Sequence, residues 1–177
     1  MDKNIQYRFL EYNECHRIRE INASQYIGRA WRNVEGELRL VDINYYDPDF
    51  PEGFDNHLDR LQQTIKSNGI AISAFSAGQM VGFCALNLSP FGDKYRYVLL
   101  DQLFISLDFR RKGIGKKLFI LVVSEAKKNA MQKIYICAGS SEETLAFYRS
   151  LGCVDAVEVN SELSDNDPRD IQLEYSL

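Results

Sequence analysis

Short, almost wholly apolar runs alternate along the chain with stretches in which apolar residues recur every three or four positions. The densest run is Tyr97 to Ile105 (YVLLDQLFI), broken only by Asp101 and Gln102, the pattern of a strand covered on both faces. A polar turn follows, and then Arg110-Arg111-Lys112-Gly113-Ile114-Gly115. From there apolar residues fall at Ile114, Leu118, Leu121 or Val122, and Ala126, which predicts one buried face of a helix reaching about Asn129. Lys133 to Ala138 reads as the next buried strand, and strand, helix and strand imply a right-handed parallel pair.

The remaining elements follow from the same periods. Ile5 to Leu10 predicts a strand, and Tyr12 to Ile21 a helix with Cys15 and Ile18 inward. Gln25 to Tyr46 reads as a hairpin turning at Asn33 to Glu37. Asp47 to Gly53 is a loop by its Pro and Gly content. Phe54, Leu58, Leu61 and Ile65 make the stripe of a helix over Phe54 to Lys66, with His57 off the stripe and at the surface. Ile70 to Phe75 and Met80 to Leu88 are strands, and Ser89 to Asp93 a turn. Ser140 and Glu143 have capping-box spacing ahead of a helix that ends at Gly152. Val154 to Val159 and Asp170 to Tyr175 are expected to close the sheet, with Asp165 to Arg169 as the turn between them. No repeat or linker divides the chain, so residues 1–177 are read as one domain.

Composition narrows the function classes. Apolar content is 45% and net charge −4, a profile of globular chains and a poor one for general nucleic-acid binding. Cys15, Cys84, Cys137 and Cys153 form no C-x-x-C pair and are expected to be reduced, buried thiols. Neither His16 nor His57 has metal-ligand spacing around it, so no metal is expected. The chain has no apolar leader and no membrane-length run, which makes the cytoplasm the expected location.

Against that acidic background five basic residues, Arg110, Arg111, Lys112, Lys116 and Lys117, crowd the start of a helix beside two glycines. Free N–H groups and a partial positive charge gather at such a start, and glycine lets a bulky anion approach the backbone. The stretch is therefore a candidate phosphate cradle. A nucleoside-triphosphatase phosphate loop needs glycine where Arg110 stands and Ser or Thr where Lys117 stands. A dinucleotide-binding turn needs a small residue where Leu118 stands. What remains is Gln or Arg, two residues, Gly, one residue, then Gly or Ala, met by Arg110, Gly113 and Gly115. This resembles the pyrophosphate motif of the GNAT superfamily of acyl-CoA-dependent N-acyltransferases. Downstream, Ser141 to Cys153 (SEETLAFYRSLGC) resembles that family's second signature: Tyr148 and Leu151-Gly152 match in type and spacing, whereas Ser141, Thr144 and Cys153 replace the commoner Asn, Ala and Phe.

The resemblance implies a GNAT-like α/β (α+β) fold: a central mixed, mostly antiparallel sheet with one parallel strand pair, flanked by helices. It implies acetyl-CoA as donor, with the N–H groups of Arg111 to Gly115, including Ile114, on its pyrophosphate. Lys112 or Lys116 would reach the phosphates, Leu103, Phe104 and Ile105 would meet the pantetheine arm, and Ser141 and Thr144 would add contacts. Tyr148 would be the general acid at the thioester sulfur, and an N–H near Phe104 the oxyanion donor.

Attack on the thioester needs a neutral amine, and an amine of pKa about 10.4 leaves only about one molecule in a few thousand neutral at pH 7. A base is required, and Asp101, a carboxylate inside a buried strand, is the candidate, with Asp42, Glu52 or a water chain as alternatives. Asp42, Glu52, Tyr46 and Phe50 suggest a wall for a cationic acceptor, such as a small-molecule or peptide amine, while Trp31 between Arg29 and Arg32 points to a carboxylate-bearing one. Transfer to a hydroxyl, a non-catalytic acyl-CoA sensor or scaffold of the same fold, and an unrelated nucleotide binder stay open as alternatives. The closing strands also offer a surface for a homodimer.

Overall fold

In a computed structural model, which describes residues 4–177, the densest apolar run becomes the middle strand of a seven-stranded sheet. In chain order the elements are β1 (Ile5–Phe9), a 3-10 helix (Tyr12–Glu20), β2 (Gln25–Val34), β3 (Glu37–Asp47), α1 (Phe54–Lys66), β4 (Ile70–Ser76), β5 (Gln79–Phe91) and β6 (Tyr97–Ile105). Then come α2 (Ile114–Lys128), β7 (Lys133–Ala138), α3 (Glu142–Ser150), β8 (Val154–Asp155), α4 (Ser161–Asn166) and β9 (Ile171–Ser176). The sheet order is β1-β4-β5-β6-β7-β9-β8, and β2 with β3 forms a separate hairpin. Every pairing in the large sheet is antiparallel except β6 with β7.

Each face of the sheet carries its own core. On one face α2 buries Ile114, Leu118, Val122 and Ala126 against Val81, Leu86, Val98 and Leu100. On the other, α1 and the 3-10 helix bury Leu61, Cys15 and Ile18 against Phe75 and Phe83. At about 1.5–3 kcal/mol per buried large apolar side chain, these two layers are the main force for folding.

A β-bulge makes β6 serve both layers. Ala85 pairs with Gln102 but Leu86 pairs with Leu100, so Asp101 is an extra residue in the strand. The bulge shifts the alternation. Val98 and Leu100 before it, and Leu103 and Ile105 after it, face the α2 core, while Phe104 joins the α1 core. Gln102 also faces α1, where its Oε1 meets His57 Nδ1 at 2.9 Å. His57 is thus buried rather than at the surface, with Nε2 2.7 Å from the Pro51 carbonyl oxygen. Its site beside the bulge, invisible to a helical count, corrects the surface assignment. Phe50 is likewise a core residue, 3% exposed, with its ring 4.9 Å from Phe104 and 5.3 Å from His57.

Two boundaries move. β5 runs on to Phe91, whose ring stacks on Tyr97 at 5.7 Å. The expected strand at 154–159 stops after Asp155, because the Glu158 carboxylate accepts the N–H groups of Asp93, Lys94 and Tyr95 and draws the chain off the sheet. The short helix α4, capped by Asn160 Oδ1 on the Leu163 N–H at 3.0 Å, then takes up residues expected to be coil and turn. Among the described residues, no helix is long and apolar enough to cross a membrane.

At the end of the sheet away from the bulge, Glu174 on β9 is buried and accepts from Lys133 Nζ on β7 and, at 2.5 Å, from the Tyr97 hydroxyl on β6. Burial works against the Glu174 charge, but these bonds and the Val157 N–H hold its carboxyl below the ordinary value. Glu174→Gln strands the Lys133 charge and is expected to lower stability by about 3 kcal/mol. Combining it with Lys133→Met recovers much of that loss. Urea unfolding at neutral pH measures both, and an unchanged midpoint in the single variant contradicts the network's role.

Candidate active site

Parting strands make the site. β6 and β7 are in register from Tyr97↔Lys133 to Leu100↔Ile136 and no further. Beyond Leu100, β6 stays with β5 as far as Ile105, and β7 stays with β9 as far as Ala138↔Ile171. A cleft opens between the two banks. Arginines close both ends of the β6 edge: Arg60 of α1 donates to the Asp101 carbonyl at 2.9 Å, and Arg110 Nε donates to the Ile105 carbonyl at 2.9 Å. Half-buried Leu103 and Phe104 lie between them on an edge that, among the described residues, has no neighbouring strand.

The β6 edge leads into the glycine turn. Gly113 caps α2 at φ +80°, and nothing lies within 4 Å of where a Cβ would stand. Arg111 is also left-handed, at φ +59°. The first bond of the helix runs from the Lys117 N–H to the Gly113 carbonyl at 3.0 Å, so the N–H groups of Ile114, Gly115 and Lys116 have no partner within the helix. Gly115 answers a close approach instead, since a Cβ there would stand 3.3 Å from the Phe147 ring of α3.

The side chains of the basic cluster divide by task. Arg110 is half-buried and also donates to the Ala23 carbonyl at 3.2 Å, so its guanidinium clamps the turn to β6 and to the chain ahead of β2. Its guanidinium is thus engaged within the fold, beside the turn whose N–H groups are expected to meet the pyrophosphate. Lys112 Nζ caps the Asp108 carbonyl at 2.6 Å, and Arg111 and Lys116 are exposed. Ser141 caps α3, its Oγ accepting the Thr144 N–H at 3.1 Å and donating to Thr144 Oγ1 at 2.8 Å, so these two oxygens are first of all bonded to each other.

Charged groups gather at the cleft. Asp101 is the bulged residue, and Arg60 holds its Oδ1 at 2.7 Å while Gln102 Nε2 holds its Oδ2 at 3.3 Å. Tyr148 on α3 is 8% exposed, and burial raises its hydroxyl pKa far above the ordinary value, with nearby Cys84, Cys153, Asp170 and Cys137 adding to the effect. Asp170, in the turn between α4 and β9, is pushed up to about 6 by burial, reinforced by Asp167 and Glu52 and opposed by Arg169 and Arg60. Burial pushes the Cys137 thiol on β7 up to about 11, with Asp170, Arg60 and Asp101 also acting on it. One electrostatic neighbourhood thus joins Asp101 of β6, Tyr148 of α3, Glu52 of the loop before α1, and Arg60 and Asp170.

Sequence reasoning missed Arg60 and Asp170. Arg60 sits on the polar side of an amphipathic helix, and Asp170 opens a closing strand. No motif marks either, and only the fold sets them beside Asp101 and Tyr148. Of the expected acceptor wall, Glu52 belongs to this neighbourhood, while Asp42 and Tyr46 stay exposed on the hairpin. Trp31 is half-buried against the α2 core, and its backbone N–H donates to the Ser140 carbonyl at 2.8 Å. The hairpin is held there by Arg29, which grips Glu142 with two hydrogen bonds, and by Arg32 on Ser140 Oγ at 2.6 Å.

Residues 41–153 match the model of the Acetyltransferase (GNAT) family. No curated protein matches the chain. A protein assigned as a streptothricin acetyltransferase from Bacillus anthracis, solved with acetyl coenzyme A, is 19% identical, with 98% of this chain and 99% of that chain covered and a TM-score of 0.72. Nourseothricin acetyltransferase is 14% identical over 97% of this chain and 98% of that one, with a TM-score of 0.71. The PaiA N-acetyltransferase of Thermoplasma acidophilum, solved with coenzyme A, is 18% identical over 98% and 99%, with a TM-score of 0.65. At these identities the likeness concerns the fold.

Arg110→Met removes the clamp on the Ile105 and Ala23 carbonyls. The expected outcome is a loss of about 2 kcal/mol in thermal or urea unfolding, since bonds from a charged donor to half-buried carbonyls are broken. Wild-type stability in this variant contradicts the clamp.

Proposed function

Because the chain belongs to the GNAT acetyltransferase family, we propose that it transfers the acetyl group of acetyl-CoA directly to a primary amine of a small molecule or peptide. The observation that carries this reading is the parted β6 edge running into a left-handed glycine and the free N–H groups that open α2. An extended pantetheine arm with its own amide groups fits an unpaired strand edge, and a pyrophosphate fits a helix start where a Cβ would otherwise stand. The residues present therefore fit coenzyme A. Leu103 to Ile105 would hold the arm, and Gly113 to Lys116 the phosphates. Exposed Arg111 and Lys116 add positive charge there.

Bound acetyl-CoA supplies an acetyl group activated as a thioester. The chain's own residues must orient it, remove a proton from the ammonium form of the acceptor and protonate the departing sulfur. Tyr148 takes the last role. Its hydroxyl is protonated at neutral pH, as a donor must be, and burial raises its pKa further. An N–H near Phe104 steadies the oxyanion. A carboxylate of the neighbourhood around Arg60 takes the proton, and that concentration of negative charge favours a cationic acceptor. The fold likeness to proteins assigned or named as streptothricin and nourseothricin acetyltransferases is the reason to include streptothricin among the acceptors to try.

Thiol release from acetyl-CoA against spermidine, kanamycin, streptothricin and lysine tests the reading. Turnover of at least one amine is expected, and no turnover with any of them speaks for the sensor instead. Tyr148→Phe is expected to lower kcat about 100-fold with little change in acetyl-CoA affinity. Equal rates in the two proteins remove Tyr148 from the mechanism. Gly113→Val, which fills the cradle and strains a left-handed residue, is expected to weaken acetyl-CoA binding by about tenfold or more in calorimetry. Unchanged affinity contradicts the cradle.

A further inference from the structure

Three carboxylates belong to the neighbourhood that joins Arg60 and Asp170, and they are in different states. Both oxygens of Asp101 are taken, by Arg60 and by Gln102. Glu52 is exposed, and its Oε2 accepts from Asn56 Nδ2 at 3.0 Å. Asp170 is half-buried, and among the described residues its carboxylate is neither hydrogen-bonded nor ion-paired. The nearby cations are committed elsewhere: Arg169 grips Asp167 with bonds of 3.2 and 3.3 Å, and Arg60 holds Asp101. A carboxylate that has lost part of its water and gained no partner is costly to keep charged, which marks it as a group with a task.

Its place in the fold says which task. Ile171, the next residue, pairs with Ala138, the last residue of β7 on the far bank of the cleft. From Ala138 the chain passes through Gly139 to Ser141 into α3, which carries Tyr148. Asp170 and Tyr148 therefore hang from the same bank, and the charge of Asp170 is felt at the Tyr148 hydroxyl. Asp101, on the opposite bank, is the group that fixes Arg60.

We propose that Asp170 accepts the proton of the incoming ammonium, with Asp101 acting as the positioning residue for Arg60; this rests on the transferase reading above. Asp170 takes one proton from the acceptor nitrogen, whose lone pair then forms the C–N bond at the thioester carbonyl carbon. As the C–S bond breaks, Tyr148 gives its proton to sulfur. The second proton lost by nitrogen as the amide forms returns to Tyr148 through solvent, and the proton on Asp170 leaves to solvent. An amine and a thioester have then become an amide and a thiol.

The groups that face Asp170 are Asp167 and Arg169 from its own turn, Glu52 from the loop before α1, Arg60 from α1, Cys137 from β7 and Tyr148 from α3. With burial, they leave it titrating at about 6, so the carboxylate is the main form at neutral pH and is lost as pH falls through that value.

The test uses the wild-type protein, Asp170→Asn, Asp170→Glu and Asp101→Asn. Initial rates with acetyl-CoA and the four amines are taken between about pH 5 and pH 9, and carboxyl carbons are titrated by NMR without any ligand. Asp170→Asn is expected to lower kcat about 100-fold and abolish the acid limb of the profile, to bind acetyl-CoA like the wild type, and to lose one carboxyl resonance that titrates near pH 6. Asp170→Glu restores part of the rate. Wild-type rates in Asp170→Asn, an acid limb that survives it but vanishes in Asp101→Asn, or the absence of any carboxyl that titrates near pH 6 overturns the proposal. No turnover by the wild-type protein with any amine overturns the transferase reading and the role of Asp170 with it, while the NMR titration still reports separately on the carboxylate.

Discussion

β6 and β7 are in register at only four pairs, Tyr97 to Leu100 with Lys133 to Ile136, and the site exists because they part after Leu100. Three local features make the parting stable. The bulge at Asp101 adds a residue to β6 without breaking its pairing with β5. Arg60 caps the Asp101 carbonyl, which the parting would otherwise leave without a strand partner. Arg110 does the same for the Ile105 carbonyl at the far end. Two arginines from different parts of the chain thus occupy the ends of an open edge, leaving its middle free. Below Leu100 the strands are locked by the buried Tyr97–Glu174–Lys133 network, so the divergence has a fixed apex.

The bulge also sets the chemistry of the two faces. Shifting the alternation by one residue sends Leu103 and Ile105 to the α2 core and turns Gln102 towards α1, where it bonds His57. Gln102 in turn holds the second oxygen of Asp101. The polar pair that interrupts an otherwise apolar strand is therefore one connected device: the bulged carboxylate binds Arg60, and the amide beside it ties the strand to a buried histidine. The opposite bank carries a different kind of charge. Burial raises the Tyr148 hydroxyl pKa further above its already neutral range, and Asp170 is held part-way out of water with no hydrogen-bond or ion-pair partner among the described residues. One bank has its polar groups hydrogen-bonded, the other carries the carboxyl that titrates at about 6.

Much of the scaffold was legible in the residues. The apolar run at 97–105, the helical period from Ile114 and the strand at 133–138 have the observed bounds or nearly so, because each buries a large apolar face that leaves a strong period. The glycine turn was legible as a turn, and the second signature placed Tyr148 on a buried helix face. What escaped had no period to read. Helix α4 has a single apolar residue, Leu163, and is held by an Asn cap. His57 looked polar and therefore outward, but Gln102 and the Pro51 carbonyl satisfy its ring inside. Phe50 looked like part of an acceptor wall and is core, since an aromatic in a loop carries no sign of the side it turns to. Arg60 and Asp170 lie far apart in sequence, and only the topology β7-β9, together with the packing of α1, brings their charges together.

The central claim is that the parted edge of β6 and the start of α2 hold coenzyme A, and backbone amide exchange addresses it residue by residue. Amide hydrogen exchange followed by NMR, with and without acetyl-CoA, is expected to slow at residues 103–105 and 113–116 and to leave β1 and the tip of the β2–β3 hairpin unchanged. Slowing confined to other parts of the chain, or none at saturating acetyl-CoA, would contradict the account.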